Sequence, residues 1–307
     1  FKGLFLSYEL DGFRDFDDYS VVDMGVPVAG VGPQVISQDF DDSFLPNVGV
    51  VYDYSDTEQV FASYSENFSL PREADALFDN VARPDVVGEE STNYELGIRT
   101  NRPQFNGALA LYFIDFDNRI EVSGRPVPGS PGLIETVGQN IGGVEAYGIE
   151  FIGNWKPDFM NDFGYFTTNL TYNISEFQNE ILSGSGDPVG IVGKQLPDSP
   201  ETMATLGFTI EPAEWIVANI STRYTGKRYA DFINTQPMEA YTVVDAYVDI
   251  GGDDYDFGAL KNVSIRANVT NITDEDILSF TFGTVAGTAF YRPLSPRTAQ
   301  ISVTAQF

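Results

Sequence analysis

Apolar and polar residues alternate with a period of two along most of this chain. Over residues 47–54, Val48, Val50, Tyr52 and Tyr54 share one face, and Asn47, Gly49 and Asp53 share the other with Val51. Tyr94, Leu96 and Ile98 alternate with Asn93, Glu95, Gly97 and Arg99. Tyr147, Ile149, Phe151 and Trp155 alternate with Gly148, Glu150 and Asn154. The same alternation runs through Val263, Ile265, Ala267 and Val269, and through Ala299, Ile301, Val303, Ala305 and Phe307. This is the period of a strand with one apolar and one polar face. No segment holds a 3.6-residue period over three turns, so almost no helix is expected. The pattern predicts about twelve strands, over residues 4–11, 43–54, 58–69, 91–102, 106–123, 140–156, 164–180, 199–211, 215–230, 240–250, 261–272 and 297–307. Most exceed the usual soluble strand of about five or six residues.

The connections alternate in length. Short ones fall at 55–57, 103–105, 157–163 and 212–214, with 251–260 somewhat longer. Long ones fall at 12–42, 70–89, 124–139, 182–198, 231–239 and 273–296. In an up-and-down meander, every second connection lies at the same end. All short turns therefore lie at one end and all long loops at the other, which is the asymmetry of outer-membrane barrels. The fold class expected is all-β, an antiparallel up-and-down transmembrane β-barrel. Its last strand descends to the short-turn end at Phe307, its first visible strand ascends, and the strand count is even. Apolar residues would face lipid, and Glu95, Arg99, Glu150 and Arg266 a polar lumen. Tyr52, Tyr54, Tyr94, Phe151, Tyr172 and Tyr224 are candidates for interfacial girdles.

Composition narrows the function. The 307 residues carry 17 Lys+Arg against 45 Asp+Glu, a net charge of −28, with no His and no Cys. Disulfides, thiol nucleophiles, His-based triads and the usual zinc and iron sites are excluded. So much negative charge would repel phosphates, and no nucleic-acid partner is expected. The longest weakly charged run, residues 21–36, contains Asp23, Pro27, Pro33 and several glycines, and cannot be a spanning helix. The chain opens on Phe1 without a basic leader, and reads as a processed chain or an internal start.

Several stretches, in order, resemble the C-terminal half of a TonB-dependent outer-membrane receptor. FLPNVGVVYDYSDTEQVFASYSENFSLP (44–71) resembles the family's first hairpin, ESTNYELGIR (90–99) a following strand, and ALYFIDFDNRI (110–120) the next. NIGGVEAYGIE (140–150) is similar to an NxGxxxxxGxE motif. ANVTNITDED (267–276) is similar to xNlxDkxY without the final Tyr, and RPLSPRTAQISVTAQF (292–307) to the closing strand. The resemblance implies that residues 1–307 are the second half of a 22-stranded barrel. Signal peptide, energy-coupling box, plug domain and roughly ten strands would then precede Phe1. It also implies active import of a scarce nutrient across the outer membrane of a Gram-negative bacterium, a ferric siderophore first among the family's ligand classes. The TonB–ExbB–ExbD complex would drive it through the N-terminal region. Outer-membrane lipids and the barrel-assembly machinery are the other partners. Phe307 resembles the insertion signal that this machinery binds.

No catalytic constellation is visible, so no enzyme, cofactor or resident metal is expected. The acidic clusters Asp11–Asp18, Asp39–Asp42 and Asp274–Asp276 do not have EF-hand spacing and read as solvated loop charge rather than Ca²⁺ sites. Cations are scarce, so those near the outer loops stand out: Arg72, Arg83, Arg125, Lys194, Lys227, Arg228 and Arg292. Arg72, Arg125 and Arg228 are candidates for holding an anionic chelate, or for pairing with neighbouring carboxylates. Tyr229, Phe232, Phe280, Phe282 and Tyr291 are candidates for stacking on a sugar or aromatic chelate, or for packing loop on loop. Two alternatives remain at this point. One is a passive outer-membrane channel, selective through lumen charge alone. The other is a surface β-protein that binds glycans or adheres, with its apolar faces buried against each other.

Overall fold

The computed structural model describes residues 2–12, 34–69, 87–126, 134–181, 187–252, 255–256, 258, 260–283 and 289–306. Eleven strands form one antiparallel sheet. In chain order they are β1 (Asn47–Asp53), β2 (Glu58–Ser69), β3 (Glu89–Arg102), β4 (Phe105–Asp117), β5 (Val144–Trp155) and β6 (Gly164–Phe177). They continue as β7 (Thr202–Ala213), β8 (Ile216–Thr225), β9 (Tyr241–Gly251), β10 (Lys261–Thr270) and β11 (Thr298–Gln306). Each strand pairs with the next in sequence, and β1 and β11 form the two edges. The sheet is thus a pure meander that is not closed among the described residues. The only helical turn among the described residues is Asp158–Met160.

Loop parity follows the pattern read from the sequence. Connections 54–57, 103–104, 156–163, 214–215 and 252–260 lie at one end of the sheet, and 70–88, 118–143, 178–201, 226–240 and 271–297 at the other. The long connections hold hairpins of their own: Ile120–Pro126 with Ile134–Asn140, Arg228–Tyr229 with Pro237–Met238, and Leu278–Gly283 with Ala289–Pro293. Two features differ from the expected strand map. The segment at 4–11 lies outside the main sheet and pairs with Gln34–Leu45, inside what reads as a loop in the sequence. The strands expected over 106–123 and 215–230 each divide, and the one expected over 140–156 begins only at Val144. Asn118 adopts φ 53°, and the chain beyond it leaves the sheet as a separate hairpin.

Register sorts the side chains into rows. Tyr64, Tyr94, Phe113 and Tyr147 lie opposite one another across β2 to β5. The Tyr64 and Tyr94 ring centroids are 5.2 Å apart, and those of Tyr94 and Phe113 6.2 Å. One step outward on the same face stands a polar row: Glu66, Thr92, Asp115, Glu145 and Glu176. Toward the short turns, Phe105, Trp155, Phe166 and Phe208 form a second aromatic row. Its rings stack at 5.6 Å for Trp155–Phe166 and 4.7 Å for Phe166–Phe208. Between the rows the face is aliphatic, with Leu96, Leu111, Ile149, Leu206 and Ile220 all exposed. An exposed apolar band between two aromatic rows is what a bilayer requires of a barrel's outer wall. Five of the six aromatics expected in girdles, Tyr52, Tyr94, Phe151, Tyr172 and Tyr224, fall on this face by strand parity, with Tyr94 in the outer row, and Tyr54 lies in the turn just beyond β1.

The other face is polar. The row Gln59–Arg99–Ala108–Ile152–Asn169–Thr205–Arg223 crosses β2 to β8. Arg266 forks onto Asp249 directly opposite, at 2.6 and 2.5 Å. In the full-length protein, Leu206→Arg on the apolar face is expected to lower stability by about 2–4 kcal/mol, whereas Thr205→Arg beside it is tolerated. Denaturant titration of heat-modifiable gel mobility measures both. Equal losses would count against the assignment of faces.

Candidate functional site

Three long connections fold onto the polar face and share a small core. Ile141, Val144, Phe177, Ile191, Leu196 and Phe232 are buried together. Phe177 and Phe232 are 0% and 1% exposed, with ring centroids 5.3 Å apart. Hydrophobic burial thus fixes the loops, and directional bonds set their register. Gln195 N–H donates to Asn234 Oδ1 at 2.8 Å, and Asn234 Nδ2 donates back to Gln195 O at 2.8 Å. Asp231 Oδ1 accepts from the amides of Thr235 and Gln236 at 2.8 and 2.9 Å, closing the turn below the Arg228–Tyr229 strand. Glu180 accepts amides from Gly190 at 2.7 Å and Ile181 at 3.2 Å. Burial acts to raise its carboxyl pKa, but the amides of Gly190, Ile191, Ile181 and Val189 outweigh it and hold the pKa below the usual 4.5.

The NxGxxxxxGxE stretch anchors the next connection. Asn140 Oδ1 accepts from Val87 N at 2.8 Å, and its Nδ2 donates to the carbonyls of Val87 and Asn118 at 3.0 and 2.6 Å. Gly142 has φ +83°, and a Cβ there would meet Asn179 at 2.8 Å. A Cβ on Gly148 would meet Tyr172 O at 2.2 Å and the Tyr112 hydroxyl at 2.7 Å. Its absence lets Tyr112 cross the wall to donate to Asn173 Oδ1 at 2.7 Å. At the far side, Asn271 bonds Glu275 in both directions at 2.9 Å, and Arg297 N donates to Asp274 Oδ1 at 2.9 Å. Among the described residues, no three Asp or Glu groups converge as a metal site would need.

Below the loop core, the polar wall encloses a cavity of about 700 Å³. Ser63, Ser65, Asn93, Glu95, Tyr112, Glu150 and Asn173 line its wall, and Leu196–Pro200 its rim. Arg119 borders it and is held by Glu89 at 2.9 Å and Glu121 at 3.2 Å. Burial pushes the Glu121 carboxyl pKa up, against the opposing pull of the Arg119 guanidinium. A second cavity of about 780 Å³ lies on the same face toward the short turns, with Asp53, Gln59, Arg99 and Asn154 in its wall.

The residues singled out from the sequence fall in several places. Arg228 is 4% exposed, bonded through Nε to Asp198 Oδ1 at 2.6 Å, with its guanidinium 5.4 Å from the Tyr241 ring centroid. Phe232 sits in the loop core. Tyr229 is half-buried, with Lys227 Nζ 5.8 Å from its ring. Tyr291 is partly exposed, and burial, then the charge of Asp231, raises its phenol pKa. These four gather around connection 226–240. Arg72 and Phe307 lie outside the described residues, as do the side chains of Arg125, Phe280 and Phe282. The cavity wall itself was legible only in part: strand alternation marks Asn93, Glu95 and Glu150 as inward, but nothing in the sequence singles out Tyr112 or Asn173.

Two outcomes test this arrangement. Phe232→Ala is expected to cost the loop core about 3–5 kcal/mol. Amide exchange should accelerate across 187–200 and 226–240 while the sheet stays protected. For Glu180, a lowered folded-state pKa means its contribution is present above 4.5 and lost as pH falls through the lowered value. Protection of the Gly190 amide, corrected for intrinsic exchange, should therefore persist at pH 4.5 and drop on acidification below it, and Glu180→Gln should abolish that pH dependence.

The fold and the mouth it builds can be compared with known proteins. Over 91% of this chain and 38% of the other, it superposes on the crystal structure of the siderophore receptor PiuA from Acinetobacter baumannii, with TM-score 0.68 and 18% identity. That likeness shows the fold. Among curated proteins, it is 22% identical to the vitamin B12 transporter BtuB of Photobacterium profundum, over 80% of this chain and 37% of that protein. It is 24% identical to the ferrioxamine receptor of Yersinia enterocolitica, over 76% of this chain and 30% of that protein. The chain thus spans about a third of the length of these relatives. The model of the TonB dependent receptor-like, beta-barrel family matches residues 11–272. With strands, lipid face and loop mouth in agreement, the chain belongs to the TonB-dependent receptor β-barrel family.

Proposed function

We propose that this chain is the C-terminal part of the barrel of an outer-membrane transporter that imports a scarce nutrient with energy from the TonB system. A ferric siderophore is the leading ligand class. The observation that carries the reading is the sheet itself: apolar outside, polar inside, with a loop-roofed cavity on the polar side. Family membership supports the same reading. Relatives named as vitamin B12 and ferrioxamine proteins favour uptake of a small, scarce ligand over structural or adhesive roles. In lipid, the open edges β1 and β11 would leave backbone groups unpaired. Further strands must close the barrel, and the proposal places them, with a plug domain, before Phe1. The full protein would reside in the outer membrane of a Gram-negative bacterium, be inserted by the barrel-assembly machinery, and couple to TonB–ExbB–ExbD through its N-terminal region. It acts as a transporter, not an enzyme.

The test is uptake of radiolabelled iron, presented as a panel of ferric siderophores, in iron-limited cells. Deletion of the full-length gene is expected to abolish uptake of at least one chelate, and loss of TonB or of the proton gradient to do the same. Uptake that persists without TonB would favour a passive channel instead. No change for any ferric chelate would direct the search to cobalamin and oligosaccharides.

A further inference from the structure

From the contacts beneath the mouth we propose that Tyr112 is a positioning residue for ligand capture: through Asn173 and Ser199 it holds the rim over 197–200 in place above the cavity. The proposal rests on the uptake reading above and adds the means by which the barrel wall sets the shape of the mouth. Tyr112, Gly148 and Asn173 lie in one row across β4, β5 and β6. Neighbouring strands are about 4.8 Å apart, so the backbones at Tyr112 and Asn173 stand about 10 Å from each other. The Tyr112 hydroxyl nevertheless donates to Asn173 Oδ1 at 2.7 Å, because the residue between them has no side chain. Asn173 Nδ2 donates in turn to Ser199 Oγ at 3.0 Å. The Asn173 amide also donates to Glu201 O at 2.8 Å, just past the rim.

The rim needs such a hold. Residues 197–200 read Pro-Asp-Ser-Pro, and the two prolines have no amide to donate. Between them Asp198 adopts the left-handed region at φ 52°, with its side chain 44% exposed beside the cavity. From the loop side, Asp198 is held by its own amide on Tyr229 O at 2.8 Å and by Arg228 Nε on Oδ1 at 2.6 Å. Arg228 grips with a single bond rather than a fork, its Nη1 being buried without a partner. From the wall side, the hold is Tyr112 acting through Asn173. Both residues line the cavity, where water could satisfy their polar groups equally well. A glycine inside a strand weakens it. Gly148 therefore serves the direct contact, which, unlike water, fixes the distance from wall to rim.

Hydrogen exchange read by mass spectrometry on the full-length protein tests the tether without any ligand. Tyr112→Phe keeps the ring and removes only the hydroxyl, and heat-modifiable mobility checks that the barrel folds. Exchange over 195–201 is expected to accelerate about three- to tenfold, the effect of one lost hydrogen bond. The loop core over 187–193 and the ladder between β4 and β5 should keep their protection. Ser199→Ala should give the same acceleration, and the double variant no more than either alone. An unchanged rim, additive effects, or an acceleration spread equally through β4 to β6 overturns the proposal, because the hydroxyl would then serve the wall alone. The second measurement takes as its probe the ferric chelate of the panel above that the unaltered protein imports fastest. Tyr112→Phe is expected to raise its half-saturation concentration several-fold and to leave the maximal rate unchanged. A freed rim with an unchanged half-saturation concentration overturns the role in capture. If no chelate is imported, the uptake reading fails and the capture role with it, while the exchange result still decides the tether.

Discussion

Backbone hydrogen bonding in hydrocarbon is the constraint on which the rest of this structure depends. An amide or carbonyl in lipid has no water to turn to. A meander of antiparallel strands satisfies those of every interior strand between neighbours, and β1 through β11 pair in sequence order without a crossover. Once the backbone is committed to strands, side chains can only alternate. Every second residue must then suit lipid, and the remainder are free to face water. The aliphatic band around Leu96, Leu111, Ile149 and Leu206 and the polar row around Gln59, Arg99 and Arg223 are two sides of that one commitment. The aromatic rows mark where the hydrocarbon ends, and the carboxylates of Glu66, Asp115, Glu145 and Glu176 begin one step beyond Tyr64, Phe113 and Tyr147.

The same constraint explains why the loops at one end are built so differently from the turns at the other. Short turns need only reverse the chain. Ser55 shows how little this takes: its hydroxyl accepts the amides of Thr57 and Glu58 at 3.2 and 3.0 Å. Long loops must find partners for many more backbone groups outside the sheet. They do so with small hairpins, and with side chains that stand in for backbone. Asn140, Asn234 and Asn271 each bond backbone on both their oxygen and nitrogen sides. Asn234 and Asn271 also hold left-handed conformations, at φ 58° and 52°, which Asn tolerates well. Family motif residues such as Asn140, Gly142, Asn271, Asp274 and Arg297 thus tie the loops to the sheet.

Strands and their faces were legible because period two is enforced by lipid on one side over the whole sheet. Loop parity was legible because a meander admits no other order. What stayed hidden lies where that enforcement stops. Residues 34–42 read as loop because QVISQDFDD carries several charged and polar residues among its apolar ones, yet they belong to a strand, Gln34–Leu45, that pairs along its length with Lys2–Gly12. The division at Asn118 is a local backbone choice that leaves the alternation around it intact. Ile141, Ile191 and Phe232 converge from three separate connections onto Phe177 at the end of β6, and no period within any one of them announces the meeting. Arg228 shows what charge alone leaves out, since its burial and its pairing with a carboxylate are not written in the sequence around it. Its rarity suggested a ligand, but Asp198 lies thirty residues earlier in sequence and 2.6 Å away in space.

Charge placement follows from the same geometry. Cations are scarce, and the structure uses them to tie carboxylates that the fold brings close. Arg102 holds Glu58, Arg119 holds Glu89 and Glu121, Arg266 holds Asp249, and Arg297 holds Asp274. Each such pair at a strand end or loop base removes a local repulsion that would otherwise oppose pairing of acidic neighbours. Carboxylates left over stand where repulsion is weakest or where charge can act. On the outer face they line the water side of the aromatic row. On the inner face they line the cavity at Glu95 and Glu150. An unneutralised carboxylate that faces water keeps its hydration, whereas one turned to lipid would lose it at a cost of several kcal/mol, on the order of ~3. The strand alternation that keeps charge out of the bilayer therefore also gathers it on the polar face, where Glu95 and Glu150 stand.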